Sequence, residues 1–202
     1  MSEWGPVRSR RFVLPVETGY DAVAELADNV GAQSVRDVSP DVVVGLAREV
    51  SWQLTPSDHL HYGVDAPTRR SFVQVTGSAE ESVAEFAGIV AEYFDVAGDD
   101  ILLGAVDTAG SPEERRAALI VLGMGAPVTV DPRYLDRLEE GLRAAESHVR
   151  EGAFYGAAYT LWPPLMDSVR ALAENDPDDA IGRQARAFTD WVRETGAEGG
   201  AS

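Results

Sequence analysis

Cysteine is absent from the 202-residue chain, which removes disulfides, zinc ribbons, iron–sulfur clusters and thiol nucleophiles from the available chemistry. Lysine is absent too. All 17 basic residues are arginine, set against 34 acidic residues for a formal net charge of −17. Such usage, rich in alanine, valine and aspartate, is that of a high-GC bacterial genome. The charge has consequences whatever its origin. It repels phosphate backbones, which disfavours nucleic acid as a partner, and it speeds encounter with a basic protein. No apolar run approaches the ~18 residues of a membrane span, and "RRFVLPV" (10–16) is too short for the core of a secretion signal; cytoplasmic residence is expected. Also missing are a Gly-x-Ser-x-Gly elbow, a His-Glu-x-x-His pair and a P-loop, so no cofactor is expected.

The first half of what is present reads as mixed α and β. "RRFVLPV" suits a short strand, and "GYDAVAELADNVG" carries Tyr20, Val23, Ala24, Ala27 and Val30 near helical spacing. "SPDVVVGLAREV" is ambiguous between a helix start at Ser39-Pro40-Asp41 and a valine-rich strand. "EVSWQL", "HLHYGVD" and "RSFVQVTG" then alternate and are separated by the turn-like "TPSD" and "APTR", the pattern of an antiparallel meander. The following helix has Ser78 and Glu81 at capping-box spacing and an apolar face of Val83, Phe86, Ala87, Val90, Tyr93 and Phe94.

The second half is helical throughout. Three segments, "PEERRAALIVLG", "HVREGAFYGAAY" and "AIGRQARAFTDW", align on one register that superimposes Ala118, Ala153 and Ala185, 35 and 32 residues apart. An arginine precedes the alanine in the first two (Arg115, Arg150), and Gly182 followed by Arg183 takes that place in the third. Second helices, "DPRYLDRLEEGLRAAE" and "PPLMDSVRALAEN", lie between them. Alanine at a helix contact allows close approach, so such units bury a continuous core by stacking. On Pro112, Arg115, Ala118 and Leu119, then Val149, Arg150, Ala153 and Ala157, then Ile181 and Ala185, with the acidic turn "ENDPDD" before the third copy, residues 111–196 resemble the HEAT-repeat family. The fold class expected is therefore α+β: an N-terminal antiparallel β-meander with helices over 1–108, then an α-α superhelix of about two and a half HEAT-like repeats over 109–196, then a disordered Gly/Ala-rich tail at 197–202.

Two constellations qualify as candidate sites. In "SDHLHYGVD", His59 and His61 point to one face of a strand, where Asp58 or Asp65 could complete a metal set; a polar strand surface explains the pair equally well. On the second repeat helix, Tyr155, Tyr159 and Trp162 form one stripe, which is either core or an aromatic groove edged by Arg150. "VTGSAEES" joins a strand to a helix start, but its two glutamates oppose an anion there, and capping by Ser78 is the better reading. "GMG" (123–125) is a helix stop.

These features favour a non-enzymatic protein-binding module of scaffold, accessory or immunity/inhibitor type, using an acidic surface and helical repeats to engage a basic protein or peptide. A homodimer through the meander edge or the end of the stack is a further arrangement. Two alternatives are enzymatic. HEAT-like repeats also build one family of alkylpurine DNA glycosylases, to which the helical half is similar in broad pattern, although a net −6 over 111–202 opposes backbone tracking. The other is a metal-dependent enzyme on His59 and His61.

Overall fold

Alternation organises the N-terminal residues. In the computed structural model, which describes residues 7–38 and 45–196, the three alternating runs become β4 (Leu46–Gln53), β5 (His59–Asp65) and β6 (Ser71–Gly77), paired antiparallel. Two short strands, β1 (Val7–Arg8) and β2 (Phe12–Val13), lie along the free side of β6, and β3 (Gln33–Val38) pairs with β4. The sheet order is β1-β6-β5-β4-β3, with β2 also on β6. β3 was not expected: "QSVRDV" has only two apolar positions, too few to announce a strand by period. The helix start considered at Ser39-Pro40-Asp41 and the tail at 197–202 lie outside the described residues.

One face of this sheet is apolar. Val50 and Trp52 of β4, Leu60 and Tyr62 of β5, and Val73 and Val75 of β6 pack with Val23, Leu26 and Ala27 of α1 (Tyr20–Asn29) and with Val83 and Val90 of α2 (Glu80–Tyr93). Residues of opposite parity form the other face, which carries His59 and His61 together with Ser51, Gln74 and Thr76 and the buried ring of Phe72 over Gly63. The capping box expected at Ser78 and Glu81 does not form: α2 begins at Glu80 with Ala79 as N-cap and no side-chain cap bond. Ser78 stands one residue too early to reach the first turn.

After Gly98 the chain is helical: α3 (Asp99–Asp107), α4 (Pro112–Met124), α5 (Pro132–Leu142), α6 (Ser147–Thr160), α7 (Pro163–Asn175) and α8 (Asp179–Thr195). Local chemistry sets several starts. Ser111, Asp131 and Asp178 accept the Glu114, Arg133 and Ala180 backbone N–H groups, and Pro112, Pro132 and Pro163 open their helices, where a missing N–H costs nothing. The chain divides into two compact units, Met1–Ala97 and Gly98–Ser202, so α3 belongs to the helical unit; the sequence had placed that boundary after residue 108. Packing between consecutive helices is most extensive for α3 with α4, α5 with α6 and α7 with α8. A hairpin therefore starts one helix earlier than the register of the three alanines implies. Ala153 and Ala185 are fully buried, whereas Ala118 is half-buried.

The tightest crossing is α4 on α6, and glycine makes it. A Cβ at Gly152 would lie 2.5 Å from the Arg116 carbonyl oxygen, one at Gly156 would lie 2.6 Å from that of Leu119, and one at Gly123 would strike the Gly156 backbone. Two backbones meet there without intervening side chains. Among the described residues no helix is long and apolar enough to cross a membrane.

Candidate functional site

Of the two readings of the aromatic stripe, the structure takes core. Tyr159 is 4% and Trp162 1% exposed, Tyr155 is half-buried, and the indole Nε1 of Trp162 donates to the Val128 carbonyl at 3.2 Å. Arg150, proposed for the groove's edge, is committed inside the stack. Its Nε and Nη2 bond Asp176 at 2.8 and 2.9 Å, while Nη1 donates to the carbonyls of Ala144 and Ala145 just beyond α5. Each partner perturbs the other. The Arg150 guanidinium holds the Asp176 carboxyl below the usual carboxylate range, and Asp176 raises the basicity of Arg150. Arg115, the equivalent residue on α4, bonds Glu140 of α5 at 2.7 Å. Arg115 and Arg150, which share the alanine register, therefore act as rungs, each tying its helix to a carboxylate 25 or 26 residues further on.

His59 and His61 share the sheet face away from α1 and α2, their ring centres 6.3 Å apart. His61 is 5% exposed; its Nε2 shares a 2.8 Å hydrogen bond with the Thr76 hydroxyl, and Nδ1 stands 3.7 Å from Glu49. Burial, then the neighbouring His61, lowers the pKa of His59, with Asp58 opposing. Neither aspartate joins the pair. Asp58 lies on the helix side, accepting from the Thr55 and Ser82 hydroxyls at 2.5 and 2.8 Å. Asp65 accepts the backbone N–H and the hydroxyl of Thr68 within the β5–β6 turn. Among the described residues no group of three His, Asp or Glu side chains could hold a metal ion. The metal set considered from sequence fails because period-2 alternation places Asp58 across the sheet from the histidines.

A third feature, dispersed in sequence, assembles in the helical unit. The α3–α4 turn (Ala109 to Ser111), the first turn of α4, the end of α5 and the α5–α6 turn enclose an open groove of about 700 Å³. Pro112 and Val149 give it apolar surface; Asp136, Glu139, Glu140 and Glu146 line it with carboxylates, and Arg115 and Arg143 are its two cations. Both cations are already neutralised, Arg115 by Glu140 at 2.7 Å and Arg143 by Glu139 at 2.9 Å.

No family model matches this chain, nor does any curated protein or any solved structure. With two of four carboxylates paired internally, the groove carries a formal surplus of two negative charges, on Asp136 and Glu146. An open, partly apolar trough of that sign accepts guanidinium or ammonium groups on aliphatic stems. In sequence each of these acids reads as an ordinary solvated residue of a helix or turn. Spacing from the register arginines reaches one of them, Glu140, 25 residues after Arg115.

Proposed function

We propose that this chain is a non-enzymatic protein-binding module whose helical unit, read as HEAT-like repeats, engages a basic protein or peptide. The observation that carries the proposal is the acidic groove between the α3–α4 and α5–α6 turns, whose lining cations among the described residues, Arg115 and Arg143, are already paired with its own glutamates. The net charge of −17 supports the same reading by drawing a basic partner toward the surface. The Gly-mediated crossing of α4 on α6 favours docking on a pre-formed surface, since it fixes the helices that carry the groove's walls. The same negative trough opposes the DNA-processing alternative, because a phosphate backbone would meet carboxylates. Within this reading the module acts in the cytoplasm as a scaffold, an accessory subunit or an inhibitor of a basic protein.

Calorimetric titration of the full chain with an arginine- and lysine-rich peptide tests it. Binding is expected at low salt, weakening as salt rises, and falling further in the double variant Asp136→Asn, Glu146→Gln. Binding indifferent both to salt and to those substitutions would remove the groove as the docking site.

A further inference from the structure

Arg150 does more than close an ion pair. Its guanidinium sets Nε and Nη2 on the Asp176 carboxylate and turns Nη1 onto the carbonyl oxygens of Ala144 and Ala145, at 3.0 and 2.7 Å. Those carbonyls lie between α5 and α6, where no helical N–H serves them. The backbone N–H of Arg150 adds a bond to the Glu146 carbonyl at 3.2 Å. One residue therefore holds three consecutive carbonyls, those of Ala144, Ala145 and Glu146. The stretch so held is a wall of the acidic groove, because Arg143, Ala144, Glu146 and Val149 all line it.

Asp176 anchors this arrangement from the next turn. Its Oδ1 also accepts the Asp178 backbone N–H at 2.8 Å, and Asp178 in turn caps α8. The carboxylate is thus tied to the α7–α8 turn, and through Arg150 the α5–α6 turn is set against it. A buried pair of charges gains little net stability once desolvation is counted. What this one fixes is geometry, since a planar fork serves a carboxylate on one side and carbonyls on the other in a single orientation. Arg115 gives the contrast: it and Glu140 pair in the open, 35% and 69% exposed, whereas the Arg150 and Asp176 side chains are 8% and 0% exposed. Neither Arg150 nor Asp176 lines the groove.

We infer that Arg150 and Asp176 are positioning residues for the groove, an inference that rests on the groove being the docking site for a basic peptide. They place the wall that carries Glu146, so binding depends on a pair that the occupant never touches. The coupling runs through a contiguous set of hydrogen bonds, from the α7–α8 turn through Asp176 and Arg150 to the α5–α6 turn. Two contributions to binding then separate: Asp136 and Glu146 attract the peptide, and Arg150 with Asp176 holds the surface that receives it.

Arg150→Lys in the full chain tests this without changing net charge. An ammonium keeps its charge beside Asp176 but lacks the fork that spans the carboxylate and both carbonyls. Amide hydrogen exchange, followed by NMR, should quicken about tenfold or more at Arg143 and Ala144, the effect of losing one charge-assisted hydrogen bond. Their N–H groups bond the Glu140 and Gly141 carbonyls in that turn, whereas Ala126, bonded to Gly123 at the end of α4, should not change. Affinity for the arginine- and lysine-rich peptide should fall about tenfold at unchanged stoichiometry and salt dependence; the Asp136→Asn, Glu146→Gln variant instead flattens the salt dependence. A second measurement needs no variant. Because coupling is reciprocal, saturating peptide should slow exchange at the Asp178 amide of the wild type, and this decides the matter if the lysine variant does not fold. Unchanged exchange at Ala144, equal quickening at Ala126, wild-type affinity in the folded variant, or an Asp178 amide indifferent to bound peptide would each overturn the positioning role. A wild-type chain that binds no peptide would sink the docking reading instead, and exchange at Ala144 alone would then decide whether the pair holds the turn.

Discussion

Replacing Gly152 by alanine isolates the contact on which the helical unit depends. On a free helix the change is favourable, because alanine exceeds glycine in helix propensity by about 1 kcal/mol. In this molecule the new methyl would sit 2.5 Å from the Arg116 carbonyl oxygen, whereas ordinary contact begins near 3.4 Å. The obstacle is backbone, so no rotamer change relieves it, and α4 and α6 must separate along their crossing. Overpacking of a tight interior costs roughly 1–3 kcal/mol, and a backbone obstacle belongs at the upper end. Offsetting ~3 by the ~1 gained in propensity leaves a net loss of about 2 kcal/mol, a factor of about 30 in the folding equilibrium. Urea denaturation followed by far-ultraviolet circular dichroism measures it. Gly88→Ala in α2 and Gly104→Ala in α3 are the controls: both are helical, and an added Cβ meets nothing within 4 Å, so each should stabilise by up to about 1 kcal/mol. The opposite signs are the test. A Gly152→Ala chain as stable as wild type would refute the claim that backbone approach sets the packing of α4 on α6.

Asp176→Asn should destabilise the helical unit by about 3 kcal/mol, since Arg150, 8% exposed at its side chain, would lose the charge of a carboxylate that is fully buried; denaturant midpoints report it. The pH dependence has a definite sign. The folded state holds the Asp176 proton less tightly than the unfolded chain does, so this contribution is complete above about pH 4 and is lost on acidification through the lower folded-state value. In the Asn variant that part of the acid dependence should vanish. Arg69 is exposed with φ at 59°, a left-handed conformation that disfavours a Cβ by ~1 kcal/mol or more, so Arg69→Gly should stabilise the first unit by about 0.5–1 kcal/mol; an unchanged thermal midpoint would contradict it. Trp162→Phe removes the donor to the Val128 carbonyl and part of a 1%-exposed side chain, and should lower stability by about 1–3 kcal/mol in the same denaturant assay.

Much of the architecture was legible before any coordinates. β4, β5 and β6 announced themselves because one face of each is apolar, which writes a period of two into the sequence. The helices from Pro112 to Thr195 announced themselves through segments that share the register of Ala118, Ala153 and Ala185; the proline starts and the caps at Ser111, Asp131 and Asp178 came from the structure. β3 did not, because "QSVRDV" carries little apolar signal. The hairpin grouping did not either: a recurring alanine spacing has the same period whichever helix is counted first, and only packing chooses the partner of α4. Arg150 looked like a free cation at the edge of a groove because nothing local marks Asp176, 26 residues on, as its counter-ion.

Composition and spacing alone determined the acidic charge, the absence of thiol and lysine chemistry, and the succession of strands and helices, since these are local properties of the chain. Tertiary structure decided which side chains meet. It buried Tyr159 and Trp162, drew Asp58 away from the histidines, and brought Asp136 and Glu146 to one groove. Strand register and helix crossing join residues far apart in the chain, and no periodicity along the chain records that choice.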